Sequence, residues 1–111
     1  METIAERLGF ERGDRVAIVH ADDIGMCDAQ SDGAFEALRN GPATCGSLMV
    51  PCPGFAAAAE RAREHPQLDL GVHLTLTSEW PSLRWGPVLG AEAVPSLVDA
   101  TSCFPRTAAE V

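Results

Sequence analysis

Three side chains of this 111-residue sequence could bind a divalent cation and move a proton: Asp22, Asp23 and His73. The two carboxylates follow the apolar run Val16–Val19 after two intervening residues, and the imidazole lies near the end of the apolar segment Leu68–Leu76. A carboxylate and an imidazole that meet at one edge of a sheet are ligands for a divalent cation. A second carboxylate beside the ion can serve as general base toward water. The spacing therefore predicts a hydrolytic metal site.

Each of these residues also has a simpler interpretation. An acidic pair after a strand often forms a turn or a helix cap, and a single histidine in an apolar strand is often a core residue. In strict alternation, however, His73 shares its face of the strand with Gly71 and Thr75, while the leucines and the valine point the other way. This polar face favours the functional interpretation.

Other candidate residues lie beside the acidic pair and in the loop that follows the His73 segment. His20 precedes the acidic pair and either supports the site or packs in the core. We assign Trp80, Arg84 and Trp85 as candidate substrate-binding residues. The indoles could stack on a sugar ring or anchor a long loop, and the sequence leaves both interpretations open.

The order of predicted elements favours an α/β fold with a parallel sheet. We expect an N-terminal helix within residues 1–14, a βαβαβ core over residues 15–77 and a loop-rich tail over residues 78–111, with 78–96 as a long surface loop. Continuous apolar runs are typical of strands covered on both faces, and their alternation with helices is typical of βαβ units. The predicted core elements are strands at Val16–Val19, Thr44–Val50 and Leu68–Leu76, and helices at 28–39 and Phe55–Glu64.

Composition excludes several classes of partner. The formal net charge of −8 argues against a nucleic-acid backbone or an anionic membrane surface, since both attract basic proteins. No apolar run is long enough to cross a bilayer, and the charged N-terminus does not resemble a signal peptide, so we expect a cytoplasmic protein. The four cysteines form no CxxC pair, and we expect four reduced thiols.

Three predicted strands make a small sheet for an independent domain, since a complete (β/α)8 barrel needs about 250 residues. We therefore expect a single partial domain over residues 1–111, the N-terminal part of a longer barrel-like protein. A small three-layer domain that is complete as written is the alternative. In a partial barrel, Leu48, Val50, Val72 and Leu74 would lack packing partners, so we expect a homo-oligomer or an aggregation-prone chain.

Three motifs resemble those of the YdjC-like carbohydrate deacetylase family, which includes chitooligosaccharide deacetylases and deacetylases associated with hopanoid synthesis. They are Ile18-Val19-His20-Ala21-Asp22-Asp23-Ile24-Gly25-Met26, Gly46-Ser47-Leu48-Met49-Val50-Pro51 and Gly71-Val72-His73-Leu74-Thr75-Leu76-Thr77. The resemblance implies a distorted (β/α) barrel that hydrolyses the acetamide of N-acetylated sugars. It implies Asp23 and His73 as ligands of a divalent ion, Mg or Zn, and Asp22 as general base. The family uses a further histidine ligand, and this sequence has no histidine after His73.

Two other functions compete with the deacetylase interpretation. A receiver-like signalling domain also places an acidic pair after its first strand and binds magnesium there. Receivers need an acceptor aspartate where this chain has His73, and a later lysine, whereas this chain contains no lysine. A non-catalytic fragment or sugar-binding module is the second alternative.

Overall fold

The computed structural model describes residues 2–111 and contains a parallel three-stranded sheet with helices on one face. The predicted α/β class is confirmed. Its elements in chain order are α1 (Ile4–Arg7), β1 (His20–Ile24), α2 (Asp28–Asn40), β2 (Cys45–Leu48), α3 (Phe55–Glu64) and β3 (Leu70–Val72). Three short 3-10 helices follow at Ala91–Ala93, Pro95–Leu97 and Ala108–Glu110.

The central strand of the sheet is β2, and it pairs in parallel with β1 and with β3. In β1, His20 lies opposite Cys45 and Ile24 lies opposite Leu48, with an irregular register between Ala21 and Ile24. All three carboxyl ends therefore meet at one edge of the sheet, which is where α/β proteins place their chemistry.

The N-terminal segment differs from the prediction. The helix expected within residues 1–14 is a single turn, closed by reciprocal hydrogen bonds between Thr3 and Glu6, and Met1 lies outside the described residues. The strand predicted at Val16–Val19 was misplaced, because β2 begins opposite His20 and leaves the earlier run with no strand to pair with. The carbonyl of Val19 accepts hydrogen bonds from the N–H of Thr44 at 2.8 Å and from the Thr44 hydroxyl at 3.3 Å.

The first core cluster lies between the sheet and its two long helices. It consists of five buried residues: Ile24, Ala34, Phe35, Leu48 and Ala58. Phe35 is fully buried in α2, and the Arg61 guanidinium lies 4.5 Å from the centre of its ring. The bounds of α2 and α3 agree with the prediction to within one residue, because Gly41-Pro42 and Pro53-Gly54 mark where helices end and begin.

The tail after β3 is irregular and mostly exposed over residues 78–96, as predicted for a long surface loop, but two buried residues, Ser78 and Trp85, anchor it. Trp85 and Phe104 pack with Met49 and Cys52 in a second buried cluster. Ser78 is fully buried, donates its N–H to the Pro105 carbonyl at 2.7 Å, and accepts the Trp85 N–H on its hydroxyl at 3.0 Å.

The face of β3 that continues the first core is open to solvent. Val72 is 66% exposed and Leu74 is 87% exposed, as we expected for a partial barrel. Leu48 was wrongly predicted to be uncovered, since α2 and α3 bury it, and Val50 is half-buried.

The radius of gyration is 17.3 Å. A compact domain of this length typically has a radius of gyration of about 13 Å, so the chain is more extended than such a domain.

No helix among residues 2–111 has the length and apolar character needed to span a bilayer.

Candidate metal centre

The acidic pair and His73 lie at the carboxyl edge of the sheet, with small shifts from their predicted positions. Asp22 and Asp23 are inside β1 rather than beyond it, because the strand runs on to Ile24. His73 lies one residue past β3 rather than within it, and its N–H donates to the Leu48 carbonyl at 2.9 Å. This bond extends the ladder by one residue and fixes the backbone of His73 beside the central strand.

Asp23 and His73 are in direct contact. The Nδ1 atom of His73 lies 3.2 Å from Oδ1 of Asp23. Two ligand atoms of one ion are separated by about 3 to 4 Å, so this contact is close enough for a shared cation. The Asp23 N–H donates to the same nitrogen at 3.4 Å, so the lone pair of Nδ1 is directed toward this residue. Both side chains are about one-third exposed, which leaves the pair accessible from solvent.

The backbone of β1 is distorted where it presents Asp23. The residue has φ of 59°. This is a left-handed conformation that non-glycine residues rarely adopt. It coincides with the irregular register between Ala21 and Ile24. The chain is then secured by Ser31, whose hydroxyl accepts the Gly25 N–H at 3.0 Å and donates to the Cys27 carbonyl at 2.9 Å.

Negative charge accumulates around Asp23. Burial raises the pKa of its carboxyl above the usual value, and the carboxylates of Asp22 and Glu79 raise it further, while His73 opposes the rise. Asp22 itself is exposed. We did not single out Glu79 from the sequence, although it is the only acidic residue between His73 and Glu92. A divalent cation here would relieve repulsion among these carboxylates.

The distance between the two candidate ligands fits one divalent cation, but the number of ligands is small. Two ligand atoms that each lie about 2.1 Å from one ion are separated by about 3.0 Å in octahedral and about 3.4 Å in tetrahedral geometry. The separation of 3.2 Å between Asp23 and His73 falls between these values. Within residues 2–111 there is no cluster of three histidine, cysteine or acidic side chains, so this part of the chain offers two ligands.

The structure separates the three candidate substrate-binding residues. Trp85 is 3% exposed and donates its indole N–H to the Thr77 carbonyl at 2.8 Å, so it anchors the tail and presents no ring face to a ligand. Trp80 is 51% exposed. We predicted Trp85 as a substrate contact, and its burial against Phe104 contradicts that prediction.

Arg84 was also predicted to bind substrate, but its side chain forms hydrogen bonds within the tail. Its guanidinium donates to Asp99 and to the Phe104 carbonyl, each at 2.7 Å, and to the Ser78 hydroxyl at 3.1 Å. Hydrogen bonds from the Thr101 side chain and from Arg84 hold the pKa of Asp99 well below its usual range. Arg84 therefore clamps the tail.

His20 is not a core residue, and it lies at the opposite end of β1 from Ile24. It is exposed and contacts Cys45 and Ser47 of β2, two residues that the sequence analysis did not single out. All four cysteines are free.

The sheet and the carboxylate–imidazole pair define the first βαβαβ portion of a barrel-like α/β protein, with its polar site at the carboxyl ends of the strands. A family model described as YdjC-like protein matches residues 16–111, and the chain belongs to this family. The resemblance noted in the sequence is therefore confirmed.

Curated relatives with deacetylase names match most of this chain. A carbohydrate deacetylase of Thermus thermophilus is 45% identical over 104 residues, which are 94% of this chain and 34% of that protein. A chitooligosaccharide deacetylase of Salmonella paratyphi B is 40% identical over 69% of this chain and 32% of its own length. The chain thus spans about one-third of the length of the curated relatives it matches.

A solved structure supports the fold. A crystal structure described as a cellobiose-phosphate cleavage protein of Enterococcus faecalis V583 superposes with a TM-score of 0.71 at 40% identity. The match covers 81% of this chain and 33% of that protein. This coverage is consistent with a partial barrel.

Proposed function

We propose that this chain carries part of the active site of a metal-dependent deacetylase that hydrolyses the acetamide of N-acetylated sugars. The observation that carries the proposal is the contact of 3.2 Å between Asp23 and His73 beside Asp22, at the carboxyl edge of the sheet. The names of the relatives support the reaction and the carbohydrate class of substrate.

Asp23 and His73 would hold the cation, Mg or Zn, through Oδ1 and Nδ1. When bound, the cation supplies Lewis-acid polarisation of the acetamide carbonyl. Asp22 is exposed next to this pair, and we assign it the role of general base. Its carboxylate would take a proton from the attacking water as the C–O bond forms, and the same proton is available to the amine that leaves when the C–N bond breaks.

Trp80 is our candidate for contact with the sugar ring. It is exposed and directly follows Glu79, whose charge acts on Asp23, and both facts support this assignment. Aromatic faces exposed beside a polar site are suited to packing on the apolar face of a sugar.

Two ligands bind a divalent ion weakly, and the described residues provide no third one. We therefore propose that this chain alone retains weak metal and sugar binding with acetate release no faster than background. The limit of two ligands among the described residues also favours our second candidate function, a non-catalytic sugar-binding module.

The test compares three substitutions with the same change of charge: Asp23→Asn, Asp22→Asn and the control Asp69→Asn. Asp69 is exposed at the opposite, N-terminal end of β3. Titration calorimetry with Mg²⁺ and with Zn²⁺ should show weaker binding for Asp23→Asn only, because only that variant loses a ligand. Equal loss of metal binding in the Asp22 and Asp23 variants would refute the assigned roles.

Turnover is measured on a chimera in which residues 1–111 of this chain replace the N-terminal part of a relative of full length. There, Asp22→Asn should retain metal and lose at least about a hundredfold in kcat for acetate release from N-acetylglucosamine oligomers, the usual contribution of a general base. Retention of activity by that variant would remove Asp22 from the mechanism.

A further inference from the structure

A second group of reactive side chains lies at the beginnings of the strands, away from the proposed metal ligands. His20 starts β1 and lies in register with Cys45, which starts β2. The Nδ1 atom of His20 is 3.2 Å from the Cys45 sulfur, and Nε2 is 2.9 Å from the Ser47 hydroxyl. The imidazole therefore bridges a thiol and a hydroxyl that share one face of β2.

This arrangement has the parts of an activated nucleophile: a nucleophilic atom, a base within hydrogen-bond reach, and a third group that orients the base. When Nε2 donates its proton to Ser47, the lone pair of Nδ1 is directed at the Cys45 sulfur. Ser47 is buried, which fixes the ring from one side, while His20 is exposed and Cys45 is half-buried. Small reagents from solvent can thus reach the sulfur.

We infer that Cys45 is a site of oxidation by peroxides, with His20 as the base that generates its thiolate. The inference is independent of the proposed deacetylase function, since it uses none of the residues assigned to that reaction.

The chemistry balances with hydrogen peroxide as the oxidant. Nδ1 of His20 takes the thiol proton, and the thiolate attacks one peroxide oxygen, so that an S–O bond forms as the O–O bond breaks. The departing hydroxide takes the proton from the imidazolium and leaves as water. The sulfur is oxidised by two electrons to a sulfenic acid, and the peroxide is reduced.

The other three cysteines lack these features and serve as internal references. Cys52 is buried, and burial raises the pKa of its thiol to about 12. Cys27 and Cys103 are half-buried like Cys45. In the described part of the chain, neither forms a hydrogen bond with an imidazole, and Cys103 donates to the Thr101 carbonyl at 3.7 Å.

The experiment exposes the reduced 111-residue chain to hydrogen peroxide at pH 7 with dimedone, which traps sulfenic acids, and quantifies each cysteine by peptide mass spectrometry. We expect Cys45 to be labelled at least about tenfold faster than Cys27 and Cys103, a conservative value for base assistance. Labelling of Cys45 no faster than that of the other two half-buried thiols would overturn the inference.

Two substitutions test the role of the imidazole. His20→Asn should lower the Cys45 rate about tenfold and leave the other cysteines unchanged, whereas the control His65→Asn removes a histidine from elsewhere and should change none of them. An unchanged Cys45 rate in His20→Asn would overturn the inference.

If circular dichroism shows that His20→Asn is unfolded, Ser47→Ala replaces it. A lower Cys45 rate in that folded variant supports the inference, because the base has lost its orienting partner. An unchanged rate contradicts it.

Discussion

Removing the indole of Trp85 should destabilise this chain far more than removing that of Trp80. The Trp85 ring is 3% exposed and packs with Met49, Cys52 and Phe104. Truncating a buried aromatic residue to alanine typically costs about 3–5 kcal/mol. That estimate includes the loss of the hydrogen bond to the Thr77 carbonyl. Such a bond by itself contributes about 1 kcal/mol.

The total stability of a small domain is about 5–15 kcal/mol, so Trp85→Ala should bring this open sheet close to unfolding at room temperature. Trp80→Ala is the matched control, because half of that ring is already in water. Its removal should change the free energy of unfolding by no more than about 0.5 kcal/mol. Urea titrations followed by far-UV circular dichroism measure both. Equal losses in the two variants, or a loss below about 1 kcal/mol for Trp85→Ala, would refute the anchoring role.

Five further outcomes follow from the described contacts. A methyl group on Gly46 would lie 2.8 Å from a backbone oxygen of β1. In urea titrations, Gly46→Ala should therefore cost about 1–3 kcal/mol. Gly33 has open space around it in α2, so Gly33→Ala should instead add about 0.5–1 kcal/mol. The depressed pKa of Asp99 means that its contribution to stability is present above pH of about 4 and is lost as the pH falls toward the folded-state pKa. Thermal melts between pH 6 and pH 2 should show this loss, and Asp99→Asn should not. Leu74→Gln should lower the average mass in sedimentation without changing stability, since Leu74 is 87% exposed. Trp80→Phe should abolish any fluorescence quenching by N-acetylglucosamine oligomers, because the remaining indole is buried.

The helices could be predicted closely from the sequence and the strands less well, for a physical reason. Helices form local hydrogen bonds, and the signals that end them, such as Gly41-Pro42 after α2, are local too. A strand extends only as far as its partner does. The run Val16–Val19 has a strong strand propensity, yet β1 begins at His20 because β2 begins opposite it.

The site residues show the same difference between features set by local sequence and features set by distant parts of the chain. Parallel topology was enough to predict that Asp23 and His73 meet, since it brings the ends of their strands together. Nothing local distinguishes Trp80 from Trp85, because their roles depend on Phe104, about twenty residues later in the sequence. The contact between His20 and Cys45 depends on the register of β1 against β2, which no spacing in the sequence specifies.

The left-handed conformation of Asp23 has a consequence for engineering. The residue is held at φ of 59°. An aspartate in this region costs about 1–2 kcal/mol relative to glycine, which adopts the conformation freely. A screen that rewards only heat resistance would therefore enrich Asp23→Gly and discard the carboxylate that faces His73. Libraries built on this scaffold should hold that codon constant and recover the lost stability in the helices, where backbone geometry and chemistry do not compete.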